Sequence, residues 1–345
     1  MALFTLALSS TTTTVHFAPR HGRHALGRPH PENPGRLDRI VVPAVEKERV
    51  EWRRVWAKRP DAERAVRRVH DEAYVDSVKE AASSLSSQKA TTTTFLGPDT
   101  YVVRESFEAL LEAQSTWLDA VDDAATRRSS SWALSRPPGH HASAASADGF
   151  CVFNFAAAAG AYALEEKDVD WVAFLDWDVH HGNGIAAYVD TEPRATYASV
   201  HQSPLWPGTG DDATDVGPLG NRRAVPVRRG ADGREYQEAW DACLDFALNS
   251  STTSTLQRGR RGLLIVAAGF DALRDDPLAQ CALEPRDFRR LSKSLRDRCA
   301  HHANVAGVVF GIEGGYSDAM GPAVAYALRP WTALLDDDDD DDDDD

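Results

Sequence analysis

Short apolar runs recur along the chain, with helical patterns between them. The runs "SWALS" (131–135), "WVAFLD" (171–176), "ATYASV" (195–200), "LLIVAA" (263–268) and "VAGVVFG" (305–311) have strand length and are bounded by turn residues. Apolar residues at helical spacing predict helices over 36–50, 104–123, 154–166, 234–248 and 285–302. Strands alternating with helices predict one α/β domain around a central, mostly parallel β-sheet. "MALFTLAL" at the start of the chain reads as a first strand ending near "VHF" as readily as a leader. Polar stretches at 83–94, 126–131 and 249–255 read as loops or insertions, because patterned sequence resumes on either side.

Each strand-like run opens into a polar, glycine-containing loop: "RPPGHHA", "DVHHGNG", "HQSPLWPGTG", "GFDALRDDP" and "EGGY". In an open parallel sheet the loops after the strand C-termini share one edge, where ligands bind. One such loop means little; five on one edge predict a site.

Composition narrows the class. The 345 residues, 42% hydrophobic, suffice for one large domain with a sizeable core. Cys151, Cys243, Cys281 and Cys299 form no CxxC pair. This argues against a disulfide framework and a cysteine-ligated zinc, and suits a reducing compartment such as the nucleus or cytoplasm. The net charge is −15, ten of it in the aspartate run 336–345, which leaves −5 for the body. So mild a charge disfavours direct nucleic-acid binding. The aspartate run is expected to be disordered, since like charges repel and it has nothing to bury. No apolar run reaches membrane-spanning length, while the hydroxyl-rich 9–14 leaves an organelle address open.

The loops carry the chemistry. Asp178 and His180 follow a strand two residues apart, so both side chains share a face if the extended geometry persists. Asp271, after another strand, can supply a third ligand. Two oxygens, one nitrogen and an open position suit a catalytic zinc, with Fe(II), Co(II) or Mn(II) as alternatives. A lone Asp-x-His is more simply read as loop polars; the other loops tip the balance. His140 and His141 on a Pro-Pro-Gly loop offer an acid–base pair near water activated by a metal. Tyr316 can donate to a carbonyl oxygen, and Gly314 and Gly315 let the backbone approach a ligand. Phe150 and Trp206 could wall an apolar channel.

"RPPGHHA", "GFCVFNFAAAA", "DWDVHHGNG", "GFDALRDDPL" and "EGGY", in this order, resemble the zinc-dependent histone deacetylases. "PHPENPGRL" (29–37) and "VHDEAYVDSV" (69–78) are similar to that family's N-terminal segments. The likeness spans about 15–330, and "HHGNG" with "EGGY" looks like the class II branch. It implies an arginase–deacetylase fold and hydrolysis of N-acetyl-lysine amides in histones or other proteins. It implies zinc on Asp178, His180 and Asp271, and His141 as general base and acid with His140 as electrostatic partner. Asp176 would orient His140, Asn183 would partner His141, and Tyr316 would polarise the acetyl carbonyl. Gly149, Phe150 and Trp206 would line the lysine tunnel, with tryptophan where phenylalanine is commoner. Leu278 would border its mouth, and Asp99 would grip the substrate backbone. A structural potassium ion would sit near Asp176, Asp178, His180, Ser199 and Val200.

Three rivals stand beside this reading. Acetylated polyamines are an alternative substrate. A two-metal ureohydrolase on the same fold would need further aspartates where Asn183 and Ala272-Leu273 stand. A module that only reads acetyl-lysine would not need Tyr316 and both histidines. No Gly-x-Ser-x-Gly or His-Glu-x-x-His motif supports a serine esterase or a zincin.

Overall fold

The computed structural model describes residues 13–85, 92–249 and 259–332. Its strands are β1 (Thr14–Phe17), β2 (Glu51–Arg54), β3 (Thr93–Phe95), β4 (Tyr101–Val103), β5 (Ser130–Leu134), β6 (Trp171–Asp176), β7 (Ala195–Gln202), β8 (Arg222–Val227), β9 (Gly262–Ala268) and β10 (Val305–Ile312). Eight of them form one sheet in the order β2-β1-β5-β10-β9-β6-β7-β8. Every neighbouring pair in it is parallel, so all C-terminal ends lie along one edge. β3 and β4 make a separate antiparallel hairpin.

Side chains alternate between two cores on opposite faces. Along β9, Leu264, Val266 and Ala268 join one apolar cluster, and Leu263, Ile265 and Ala267 the other. Trp240, Leu291 and Val324, from helices Gly233–Asn249, Asp287–Ala300 and Met320–Leu328, cover the first face. Leu110, Trp117, Phe155 and Tyr162, from Ser106–Arg127 and Phe155–Glu166, cover the second. Burial on both faces explains why the central strands are continuous apolar runs rather than alternating ones.

The five strands expected from sequence are the five central ones, β5, β10, β9, β6 and β7. β1 ends at Phe17, where the first-strand reading put it, but begins at Thr14; "MALFTLAL" lies outside the described residues. Edge strands β2 and β8 do not stand out in the sequence, because β2 is mostly polar, β8 opens on two arginines and is broken by a proline, and both are largely only partly buried. β8 also contains Pro226, tolerated at a sheet edge because it has no N–H to pair.

The helix expected over 36–50 is instead a π-type turn at Arg36–Val41 and a short helix at Val42–Val45. Pro43 has no N–H to continue the preceding turn, and the chain leaves the helix to reach β2. The helix expected over 104–123 runs to Arg127, through the start of the polar stretch 126–131. Within the polar stretch 83–94, β3 begins at Thr93, and residues 86–91 lie outside the described part, as do 250–255 and the aspartate run 336–345. No described helix is long and apolar enough to cross a membrane.

Candidate active site

A cavity of about 200 Å³ opens at the C-terminal edge of the sheet. Asp99, His140, His141, Gly149, Phe150, Asp178, His180, Trp206, Asp271, Leu278 and Tyr316 all line it, with Pro138 and Gly314. Of the catalytic, metal and substrate residues expected from sequence, only Asp176 and Asn183 do not; they lie behind the histidine pair.

β6 ends at Asp176, so Asp178 and His180 do not share a face through extended geometry. Hydrogen bonds in the following bend bring them together instead. His180 N–H donates to Asp178 Oδ1 (2.9 Å), and Asp178 N–H to Asp176 Oδ1 (3.0 Å). Val179 N–H donates to Asp271 Oδ1 (3.0 Å), pinning the β6 and β9 loops together. Gly314 N–H donates to Asp178 Oδ2 (2.8 Å). A Cβ on Gly314 would come within 2.2 Å of Asp271 Oδ2, so only glycine fits there.

The ligand atoms of Asp178, His180 and Asp271 all lie within 4.8 Å of one another. His180 Nδ1 is 3.2 Å from Asp178 Oδ1 and 3.0 Å from Asp271 Oδ2. Both carboxylates are fully buried. Burial opposes charge on His180, but Asp271 and Asp178 outweigh it and raise its pKa to about 10. Burial and the neighbouring Asp178 push Asp271 up. Two buried carboxylates sharing one imidazole are a donor set with surplus negative charge. That set fits a divalent cation, which would take the place of a proton on Nδ1.

The histidine pair is held by unlike partners. His140 Nδ1 lies 3.1 Å from Asp176 Oδ2, which also accepts from the Tyr197 hydroxyl (2.9 Å). His141 Nδ1 lies 2.8 Å from Asn183 Oδ1. Burial disfavours charge on both rings. On His140 the carboxylates of Asp178 and Asp176 win and raise the pKa to about 10. On His141 burial, His140 and His180 drive it well below its ordinary value. The helix Asn183–Val189, unforeseen in the sequence, aids the placement: Gly184 N–H donates to His140 O (2.9 Å). Asn154, which caps Phe155–Glu166 by accepting from Ala157 N–H, donates from Nδ2 to Ala142 O (3.1 Å).

Aromatic rings form the walls. Phe150 meets Tyr316 edge-on at 5.7 Å between centroids, and Trp206 meets His141 at 4.6 Å. Phe150 N–H donates to Thr100 Oγ1 (2.9 Å), tying the wall to the loop of Asp99. Burial keeps the Tyr316 phenol protonated, hence a donor. Residues whose roles the sequence did not suggest support these walls. Asp276 accepts from Leu278 N–H (2.9 Å) and Tyr316 N–H (2.7 Å), joining rim to floor. Its i+2 bond is an Asx turn that "DDPL" could have signalled. The Arg36 guanidinium lies 4.6 Å from the centre of the Tyr316 ring and donates to Gly315 O (2.8 Å). Among the residues expected around potassium, the carbonyls of Asp178 and Val200 converge, each 3.3 Å from Tyr236 Oη. Ser199 Oγ contacts His201 Nδ1 at 2.9 Å.

The fold and site define an α/β hydrolytic domain with its chemistry at the strand ends. The histone deacetylase domain matches residues 30–330, and the chain belongs to that family of deacetylases and amidohydrolases. It is 34% identical to a histone deacetylase-like amidohydrolase of Pseudomonas aeruginosa, over 78% of this chain and 68% of that protein. It is 31% identical to histone deacetylase 15 of Arabidopsis thaliana, over 90% of this chain and 54% of that protein. The crystal structure of the HDA15 HD domain superposes with a TM-score of 0.78 at 28% identity, covering 93% of this chain and 89% of that one.

Proposed function

We propose that this protein is a zinc-dependent deacetylase acting on N-acetyl-lysine in proteins or peptides. The observation that carries the reading is the unlike pair His140–Asp176 and His141–Asn183 facing the buried Asp178–His180–Asp271 group across one cavity. A divalent cation held by those three side chains would polarise a carbonyl oxygen and make water nucleophilic near neutral pH. Zinc suits the donors best, and Fe(II) or Co(II) would also be accepted.

This chain's own residues do the rest. Phe150 and Trp206, with Gly149 between them, hold the lysine methylenes, and Asp99 at the rim accepts from the substrate backbone. The Tyr316 hydroxyl donates to the acetyl oxygen as negative charge develops there. Neutral His141 takes a proton from the attacking water and later delivers it to the leaving amine. Charged His140, backed by Asp176, stabilises the oxyanion. The products are lysine and acetate. We read the chain as class II-like from Asn183 and Glu313, and assign it a structural potassium ion near Asp178 and Val200. We place it in the nucleus or cytoplasm, with an organelle as the alternative that the likeness to a chloroplastic histone deacetylase of Arabidopsis thaliana supports.

Acetylated polyamines are the second reading: the Pseudomonas relative is named an amidohydrolase, a name that leaves open which amide is cut. Leu278 at the cavity rim speaks against it, because it offers no charge to a second ammonium. The test is a panel of acetyl-lysine peptides, acetylated polyamines and longer acyl-lysines, with metal content measured on the same sample. Acetate release from peptide supports the proposal. Peptide binding without acetate release would mean a reader instead.

A further inference from the structure

The mechanism above leaves one fully buried carboxylate unused. Glu313 follows the last residue of β10 and is 0% exposed. Its Oε2 accepts from Gly139 N–H (2.6 Å) and from His140 N–H (3.1 Å), on a loop 174 residues earlier in the chain. Its Oε1 is buried with no hydrogen-bond partner among the described residues. Burial raises its pKa, to about 7, against the pull of the neighbouring His140 ring and of the two N–H donors.

The segment around it reaches several working parts of the site. Glu313 holds the histidine loop, Gly314 N–H holds Asp178, and Phe270 N–H donates to Gly314 O (3.0 Å) beside Asp271. Tyr316 stands two residues further on. Arg36 locks the segment from behind through the carbonyls of Glu313 and Gly315. A shift of the histidine loop would thus be a shift relative to the very backbone that fixes the metal ligand and the phenol.

We propose that Glu313 is a positioning residue for the histidine pair: by accepting both loop N–H groups it sets His140 and His141 in register with Asp178 and Tyr316. It touches neither substrate nor metal. What matters is a buried acceptor oxygen at that point; the negative charge is dispensable. The idea rests on the deacetylase reading for its kinetic test only.

Glu313→Ala and Glu313→Gln separate the two contributions. Glutamine keeps an acceptor oxygen for both N–H groups and carries no charge; alanine leaves them unpaired. In the metal-loaded protein, Glu313→Ala should lose roughly 10–100-fold in kcat, the usual scale for groups that orient a metal site from behind. KM should change by less than about twofold if only the acid–base pair has moved. Glu313→Gln should restore kcat to within about threefold of wild type by the same reasoning. Amide hydrogen exchange gives a readout independent of activity. The peptide carrying Gly139 and His140 should lose protection in Glu313→Ala and regain it in Glu313→Gln. Wild-type kcat and protection in Glu313→Ala would overturn the proposal. So would a Glu313→Gln variant that keeps protection yet loses as much kcat as alanine, because the charge would then be what counts. If the wild type releases no acetate from any substrate, the deacetylase reading falls, and the exchange experiment still decides whether Glu313 holds the loop.

Discussion

His141 and Asn183 share one hydrogen bond, 2.8 Å from Nδ1 to the amide oxygen. With an oxygen there, Nδ1 carries the proton and Nε2 keeps its lone pair, the tautomer a general base needs. The neutral amide favours the imidazolium only weakly, against burial and the neighbouring rings of His140 and His180, whereas Asp178 and Asp176 hold the charge on His140. The two rings, 3.9 Å apart, are thereby given opposite protonation states.

The base assignment follows. His141→Ala should lower turnover by roughly 10²–10⁴-fold, the range general acid–base catalysis supplies. Bound metal should be retained, as His141 is outside the Asp178–His180–Asp271 group. Near wild-type turnover would place the base elsewhere.

The pH profile gives an independent check. The His141 pKa lies well below its ordinary value, so the working neutral form persists into acid and activity is lost only as pH falls through that depressed pKa. Asn183→Asp puts a carboxylate on Nδ1 and favours the imidazolium. The acidic limb of kcat/KM should move to higher pH, and activity near neutrality should fall. An unmoved limb would remove His141 as the titrating base.

Much of this site was legible because its residues sit at the ends of strongly patterned strands. The runs that became β5, β6, β7, β9 and β10 are buried on both faces and so read as apolar blocks. The loops after them carry nearly all the lining residues. The parts that did not show in the sequence depend on contacts distant along the chain. Glu313 bonds a loop far upstream, Arg36 crosses 279 residues to Gly315, and Asp276 reaches 40 residues to Tyr316. The alignment of Asp178 with His180 was foreseen for the wrong reason. Strand geometry stops at Asp176, and a hydrogen-bonded bend does the work.

The metal group should behave as a unit. Asp178→Ala and Asp271→Ala each remove one of the two buried carboxylates, and each should abolish bound metal and activity together while the apolar cores on both faces keep the fold. Elemental analysis of the purified variants checks this. Full metal occupancy in both would overturn the ligand assignment.

Tyr316→Phe removes one hydroxyl and little volume. Turnover should fall by roughly 10²–10³-fold, as for loss of one oxyanion donor, with a much smaller change in peptide binding. Unchanged turnover in steady-state assays would show that the phenol is only a wall for Phe150.

The tunnel rim decides what enters. Leu278 lines the cavity, its N–H fixed by the same Asp276 that holds Tyr316, so its side chain stands at a set distance from the site of reaction. Leucine gives a second ammonium nothing to pair with. We therefore expect kcat/KM for N8-acetylspermidine to lie below that for an acetyl-lysine peptide. Leu278→Glu leaves the backbone bond to Asp276 in place and adds a carboxylate at the rim. It should raise activity on the polyamine, lower it on the peptide, and do so less as salt rises, because an exposed charge is screened. A wild-type ratio of polyamine to peptide above one would reverse the substrate assignment while leaving the chemistry of His141, Tyr316 and the metal group untouched.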